Sequence, residues 1–207
     1  MSRRPLRFVR VARRIAEAIG TDDCLLAGGL AVAAHGFVRG TRDVDLLTRL
    51  PLSEARKRLE RGGLPTRLLK GTPLEGGFSR LRGECDGLPF DVVPQVVPVH
   101  WEAAVPAEAA GAGALRVVPL EDLLALKLKA QGAKDLMDAA ILVLMHPDTG
   151  ARARELATAY RALDRLESWL LDPRARAQAR EELEHEARRS GDSIPGIRAK
   201  GRRPPRR

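Results

Sequence analysis

Aromatic residues make up only 3% of this 207-residue chain, and cysteine occurs twice, as Cys24 and Cys85. Two cysteines without metal-ligand spacing exclude a disulfide framework and a cysteine-based zinc site, and they point to a reducing cytoplasm. No apolar run approaches the ~20 residues that span a bilayer, so no membrane association is expected. Arg10, Arg13 and Arg14 interrupt the apolar residues near the N-terminus, which argues against a secretory signal.

Leu, Ala and Arg are abundant, so helix propensity is high across most of the chain, and a mixed α/β or α+β fold is expected. The formal net charge of +9 is unevenly placed. Residues 1–14 carry six arginines and no acid, and residues 190–207 carry Arg198, Lys200, Arg202, Arg203, Arg206 and Arg207 against Asp192. Basic ends of this kind suit the phosphates of a nucleic acid, and they equally suit a solvated, disordered tail.

Hydrophobic periodicity places an amphipathic helix over residues 5–19, closed by Gly20, and a short buried strand at 24–27. Gly28 and Gly29 turn the chain into an alanine-rich helix ending at Gly36. Asp43 to Leu47 alternates acid and apolar residues as a strand with one polar face does. A helix from Pro51 to about Arg61 follows, then β-like runs at 66–69, 78–81 and 90–93, a Pro, Ala and Gly-rich stretch over 105–114, and a further run at 115–118. From Pro119 the pattern is helical, over 120–130, 134–145, 151–170 and 173–189. The expected class is α+β, a mixed sheet flanked by helices and followed by a C-terminal helical bundle. The expected organisation is a core over 1–118, a helical region over 119–189 that completes an active-site cleft, and a basic, disordered tail over 190–207.

Three features carry chemistry, in chain order: Gly28-Gly29 at a strand-to-helix turn, Asp43-Val44-Asp45 on the next strand, and Asp91 within Phe90-Asp91-Val92-Val93. Strand residues two apart share a face, so Asp43 and Asp45 present two carboxylates side by side. Their repulsion is usually offset by a bound cation. With Asp91 added from a neighbouring strand, the oxygen-rich set suits Mg²⁺ or Mn²⁺. Glycine at 28 and 29 lets backbone N–H groups approach phosphate oxygens.

Gly28-Gly29, then Thr41-Arg42-Asp43-Val44-Asp45, then Asp91, resembles the signature of the nucleotidyltransferase superfamily with the DNA polymerase β-like fold. The later segment Leu120 to Ala130, followed by Lys134-Asp135-Leu136-Met137-Asp138, looks like the toxin nucleotidyltransferases of the AbiEii and MenT type. The resemblance covers roughly residues 22–145. It implies that Asp43, Asp45 and Asp91 are metal ligands, that Asp91 also deprotonates the acceptor, and that Lys127 contacts the triphosphate. It further implies that Asp135 orients that lysine or the base; Lys129 is the alternate to Lys127. Arg42 either compensates the acidic pair or contacts the nucleotide.

The implied activity is transfer of an NMP from an NTP to a hydroxyl, with tRNA or another RNA as preferred acceptor and an antitoxin protein as a possible partner. The alternatives are transfer to a small molecule such as an aminoglycoside or to a protein side chain, and a catalytically silent binding module. An acidic wall facing the carboxylates would favour a cationic small molecule, and a basic one would favour RNA. His35 and His100 have no ligand partner at metal spacing and read as structural.

Overall fold

A computed structural model describes residues 4–71, 78–107 and 115–190. The basic tail, and most of the Pro, Ala and Gly-rich stretch, lie outside the described residues. The chain begins with α1 (Arg4–Ile19), whose Val11, Ala12, Ile15, Ala16 and Ile19 are buried. These positions recur at helical spacing, so one face enters the core and leaves Arg7, Arg10 and Arg14 exposed.

There follow β1 (Cys24–Leu26), α2 (Gly28–Ala34), β2 (Val44–Thr48), α3 (Leu52–Arg61), β3 (Thr66–Leu69), β4 (Arg80–Cys85), β5 (Leu88–Pro94), β6 (Val105–Pro106) and β7 (Arg116–Val117). Helices complete the chain: α4 (Leu120–Ala130), α5 (Ala133–Met145), α6 (Gly150–Ala159), α7 (Leu163–Leu171) and α8 (Pro173–Ser190). The fold is therefore α+β, a mixed sheet with flanking helices and a helical C-terminal region.

The described strands form one sheet in the order β3-β4-β5-β2-β1-β7-β6. At its centre β2 and β5 run parallel, with Val44 opposite Phe90, Asp45 opposite Asp91 and Leu46 opposite Val92. Val44, Leu46, Phe90 and Val92 are fully buried, and this apolar ladder fixes the register because a slip of one residue would send it to the other face. The acids between them are thereby forced to share the opposite face. α1 and α3 pack on each other, α2 packs on β2 and α4, and α5 is the hub of the helical region, touching α4, α7 and α8.

Three expectations need correction. The single helix read over 151–170 is two, because Arg161 adopts a left-handed backbone (φ 56°) between α6 and α7. The break is fastened from outside by Gln131, whose Nε2 donates to the Tyr160 carbonyl at 2.6 Å. The Pro, Ala and Gly-rich stretch from 105 begins with a strand, β6, which pairs antiparallel with β7. Asp43 lies one residue before β2 rather than within it.

Phe90 is the largest of the fully buried side chains and contacts the position of Gly83 so closely that a Cβ there would sit 2.5 Å from its ring. Phe90→Ala is expected to lower unfolding stability by about 3–5 kcal/mol, measured by urea denaturation at constant m-value.

Candidate active site

The parallel register of β2 and β5 places Asp45 and Asp91 side by side, and the bend before β2 brings Asp43 to the same point. Each of the three offers a carboxylate oxygen within 4.8 Å of the others. Thr41 Oγ1 donates to Asp43 Oδ1 at 3.1 Å, which steadies the exposed end of the group.

Such convergence is costly without cations. Burial, reinforced by the charges of Asp43 and Asp91, pushes the Asp45 carboxyl up to about 6, against the opposing pull of Lys127 and of a hydrogen bond from the Gly29 backbone N–H. The donor set is all hard oxygen, its separations are short, and the repulsion within it is incompletely relieved. These are the properties that suit a divalent Mg²⁺ or Mn²⁺.

The two glycines have a visible local task. Gly28 has φ +54°, and a Cβ there would lie 1.8 Å from Asp45 Oδ2. A Cβ on Gly29 would lie 2.9 Å from the Cβ of Thr41. Any side chain at either position would push Asp45 or Thr41 out of place, so the pair is what lets the start of α2 close onto the carboxylates.

Lys127 and Lys129, two residues apart on α4, part company. Lys127 is buried, and its Nζ bonds Asp135 Oδ1 at 2.7 Å and Asp138 Oδ2 at 2.9 Å. Burial works against its charged form, but the two aspartates outweigh burial and hold the ammonium above its ordinary range. Lys129 is exposed, with its Nζ 5.3 Å from the centre of the Tyr160 ring. Asp138 is fully buried and is also gripped by Arg39, whose Nε and Nη2 each donate to one carboxylate oxygen at 2.6 Å. A chain of charges, buried at Asp138 and Lys127, thus runs Arg39–Asp138–Lys127–Asp135 and joins the loop that leads to Asp43 with α4 and α5.

Sequence reasoning missed the cations beside Asp91. Arg82 of β4 is directly opposite Asp91 and forms a fork, Nε to Oδ1 at 2.8 Å and Nη2 to Oδ2 at 2.7 Å. Arg80 Nε approaches Oδ2 of the same carboxylate at 3.3 Å. The alternation Arg80-Leu81-Arg82 was the available signal, since it puts two bases on one strand face. Arg39 and Asp138 carried no such signal, because their pairing is made entirely by tertiary packing. Arg42 forms no ion pair with another described residue.

The two histidines read as structural, His35 and His100, have protein partners. His35 Nε2 lies 2.8 Å from the Val118 carbonyl. His100 Nδ1 lies 2.8 Å from Asp122 Oδ1.

No known family model and no curated protein matches the chain. Solved structures with similarity include JHP933 from Helicobacter pylori, at 14% identity and TM-score 0.43, covering 92% of this chain and 97% of that one. A second, an H. pylori protein proposed to be a nucleotidyltransferase, has 15% identity and TM-score 0.44, and the match covers 94% of this chain and all of that one. Likeness at this level leaves the chemistry to be decided by the side chains themselves.

The raised Asp45 carboxyl has a thermodynamic consequence. With a folded value of about 6 against an ordinary 3.8, its contribution to stability is full below 3.8 and is lost as pH rises through 6. Asp45→Asn, which keeps an acceptor for the Gly29 N–H, is therefore expected to stabilise the metal-free protein at pH 7.5, by on the order of 1–3 kcal/mol. The gain should vanish near pH 4, as followed by thermal denaturation in EDTA.

Proposed function

We propose that the chain is a divalent-metal-dependent nucleotidyltransferase that moves an NMP from an NTP to a hydroxyl acceptor. The observation that carries this reading is the meeting of Asp43, Asp45 and Asp91 within 4.8 Å on the face of two parallel strands, with a glycine pair closed against Asp45. Asp43, Asp45 and Asp91 are the residues that would hold Mg²⁺ or Mn²⁺. When bound, the metal would supply charge neutralisation at the phosphates and at the attacking oxygen.

The remaining work falls to positioning and electrostatics, which is most of what phosphoryl chemistry asks of a protein. The acceptor oxygen attacks the α-phosphorus in line, the bond to the β-phosphate oxygen breaks, and pyrophosphate leaves. Asp91 takes the hydroxyl proton once its oxygens are released from Arg82. Lys127, held by Asp135 and Asp138, sets a fixed positive charge behind Asp45 and contacts the triphosphate. Gly28 and Gly29 keep the backbone low beside the phosphates, and Arg42, with no anion of another described residue bound, is available to the nucleotide. In this reading residues 1–118 form the catalytic core and residues 119–189 close the cleft.

The preferred acceptor is RNA, tRNA foremost, as in toxins of the AbiEii and MenT type, with an antitoxin as a possible partner. The wall beside the carboxylates supports an anionic acceptor over a cationic small molecule. Across the sheet from Asp91 stand Arg82 and then Arg67, successive partners in register, with Arg80 adjoining. A cationic drug would meet three guanidinium groups there.

Incubation with each α-³²P-labelled NTP, Mg²⁺ and total tRNA is expected to label RNA with wild-type protein and to fall at least about a hundredfold with Asp43→Ala, since loss of a transition-state electrostatic contact costs that much or more. Label found only on protein or on small molecules would remove RNA as the acceptor. Absence of label on any acceptor, with every NTP, would remove the transferase reading.

A further inference from the structure

Asp45, Asp91, Arg82 and Arg67 stand opposite one another on four successive strands, β2, β5, β4 and β3. Residues directly paired across a sheet project to the same face. The row therefore runs acid, acid, base, base, and its two halves meet at the Asp91–Arg82 fork.

That fork stands in the way of a metal ion. A carboxylate has two oxygens, and Arg82 takes one N–H bond on each, at 2.8 and 2.7 Å. Its Nη2 also comes within 4.0 Å of Asp43 Oδ2, so one guanidinium leans on two of the three carboxylates. A divalent cation competes with it for the same lone pairs and repels it by charge. The Arg82 side chain is 33% exposed, against 8% for Asp91, so the arginine has the way out and the aspartate does not.

Leaving is opposed from the other side. Arg67 lies across from Arg82 on the edge strand, is exposed, and forms no ion pair with another described residue. Like charges directly opposed across strands are destabilising, and an anion seated between them removes the penalty.

We infer that Arg82 is an exchangeable counter-ion of this site: it holds Asp91 beside Asp43 and Asp45 until a divalent cation takes the carboxylate, and the released guanidinium, with Arg67, then binds a phosphate of the substrate. The inference rests on the reading of the three aspartates as metal ligands. Arg82 is thus a positioning residue before metal entry and a substrate contact after it. Metal and anionic substrate each favour the arrangement the other needs, so their binding is mutually reinforcing.

The test is Mn²⁺ alone, titrated into the full chain without nucleotide and followed by electron paramagnetic resonance of the free ion. Arg82→Gln is expected to bind Mn²⁺ about tenfold more tightly than wild type, and Arg82→Lys, which keeps the charge but loses the fork, by a smaller factor. Arg67→Gln, which removes an equal charge one strand further away, is expected to stay within about twofold. Equal affinity of wild type and both Arg82 variants overturns the inference while leaving the metal site standing. A gain as large in Arg67→Gln as in Arg82→Gln also overturns it, since general charge and not the fork would then be responsible. If Arg82→Gln fails to fold by circular dichroism, Arg82→Lys decides alone. Absence of Mn²⁺ binding in every form overturns the metal reading itself, and the inference with it.

Discussion

The structure turns on mutual repulsion among three carboxylates that the backbone holds within 4.8 Å of one another. Parallel pairing of β2 and β5 imposes that closeness, and the buried ladder of Val44, Leu46, Phe90 and Val92 imposes the pairing. The acids therefore do not choose their neighbours; the apolar residues between them do. Relief comes from cations on both flanks, Arg82 and Arg80 at Asp91 and Lys127 behind Asp45, and the raised carboxyl of Asp45 marks where relief is least complete. A site left short of positive charge in this way is matched to a small, doubly charged ion.

Other features follow from keeping that arrangement in place. The left-handed backbone of Gly28 and the bare Cα of Gly29 let α2 begin against Asp45 and Thr41 with no intervening atom. α4 contributes through one lysine, and that lysine is aimed by two aspartates of α5. The helical region is joined to the carboxylate face by buried charge as well as by apolar packing. Buried ion pairs are weak evidence for stability but strong constraints on geometry, since every partner must be present for any of them to be tolerated.

Much of this was legible in the sequence because it depends on period. The alternation from Asp43 to Leu47 states a strand with a polar face, which in the structure starts at Val44; Phe90-Asp91-Val92 places an acid among core residues, and the α1 repeat states one buried stripe. What escaped depends on register and on contacts between distant elements. Arg82 is an ordinary base in the sequence until β4 is aligned with β5, after which it stands directly opposite Asp91. Arg39 sits in a loop, where no periodicity applies. The break between α6 and α7 is set by a left-handed Arg161 and a hydrogen bond from Gln131, neither of which alters the local helical pattern. Lys127 and Lys129 could be separated only once it was known which face of α4 the core takes.

Asp138 shows how far a single buried acid can reach. Arg39, ninety-nine positions earlier, bonds both of its oxygens, and Lys127 of the preceding helix shares Oδ2. Replacing Arg39 alone would leave the buried anion with Lys127 as its one described cation, and replacing Asp138 alone would take from Arg39 its described carboxylate while Lys127 kept Asp135. Sequence drift at these positions is therefore locked in tandem, and among diverging descendants the pair should be retained together or exchanged together.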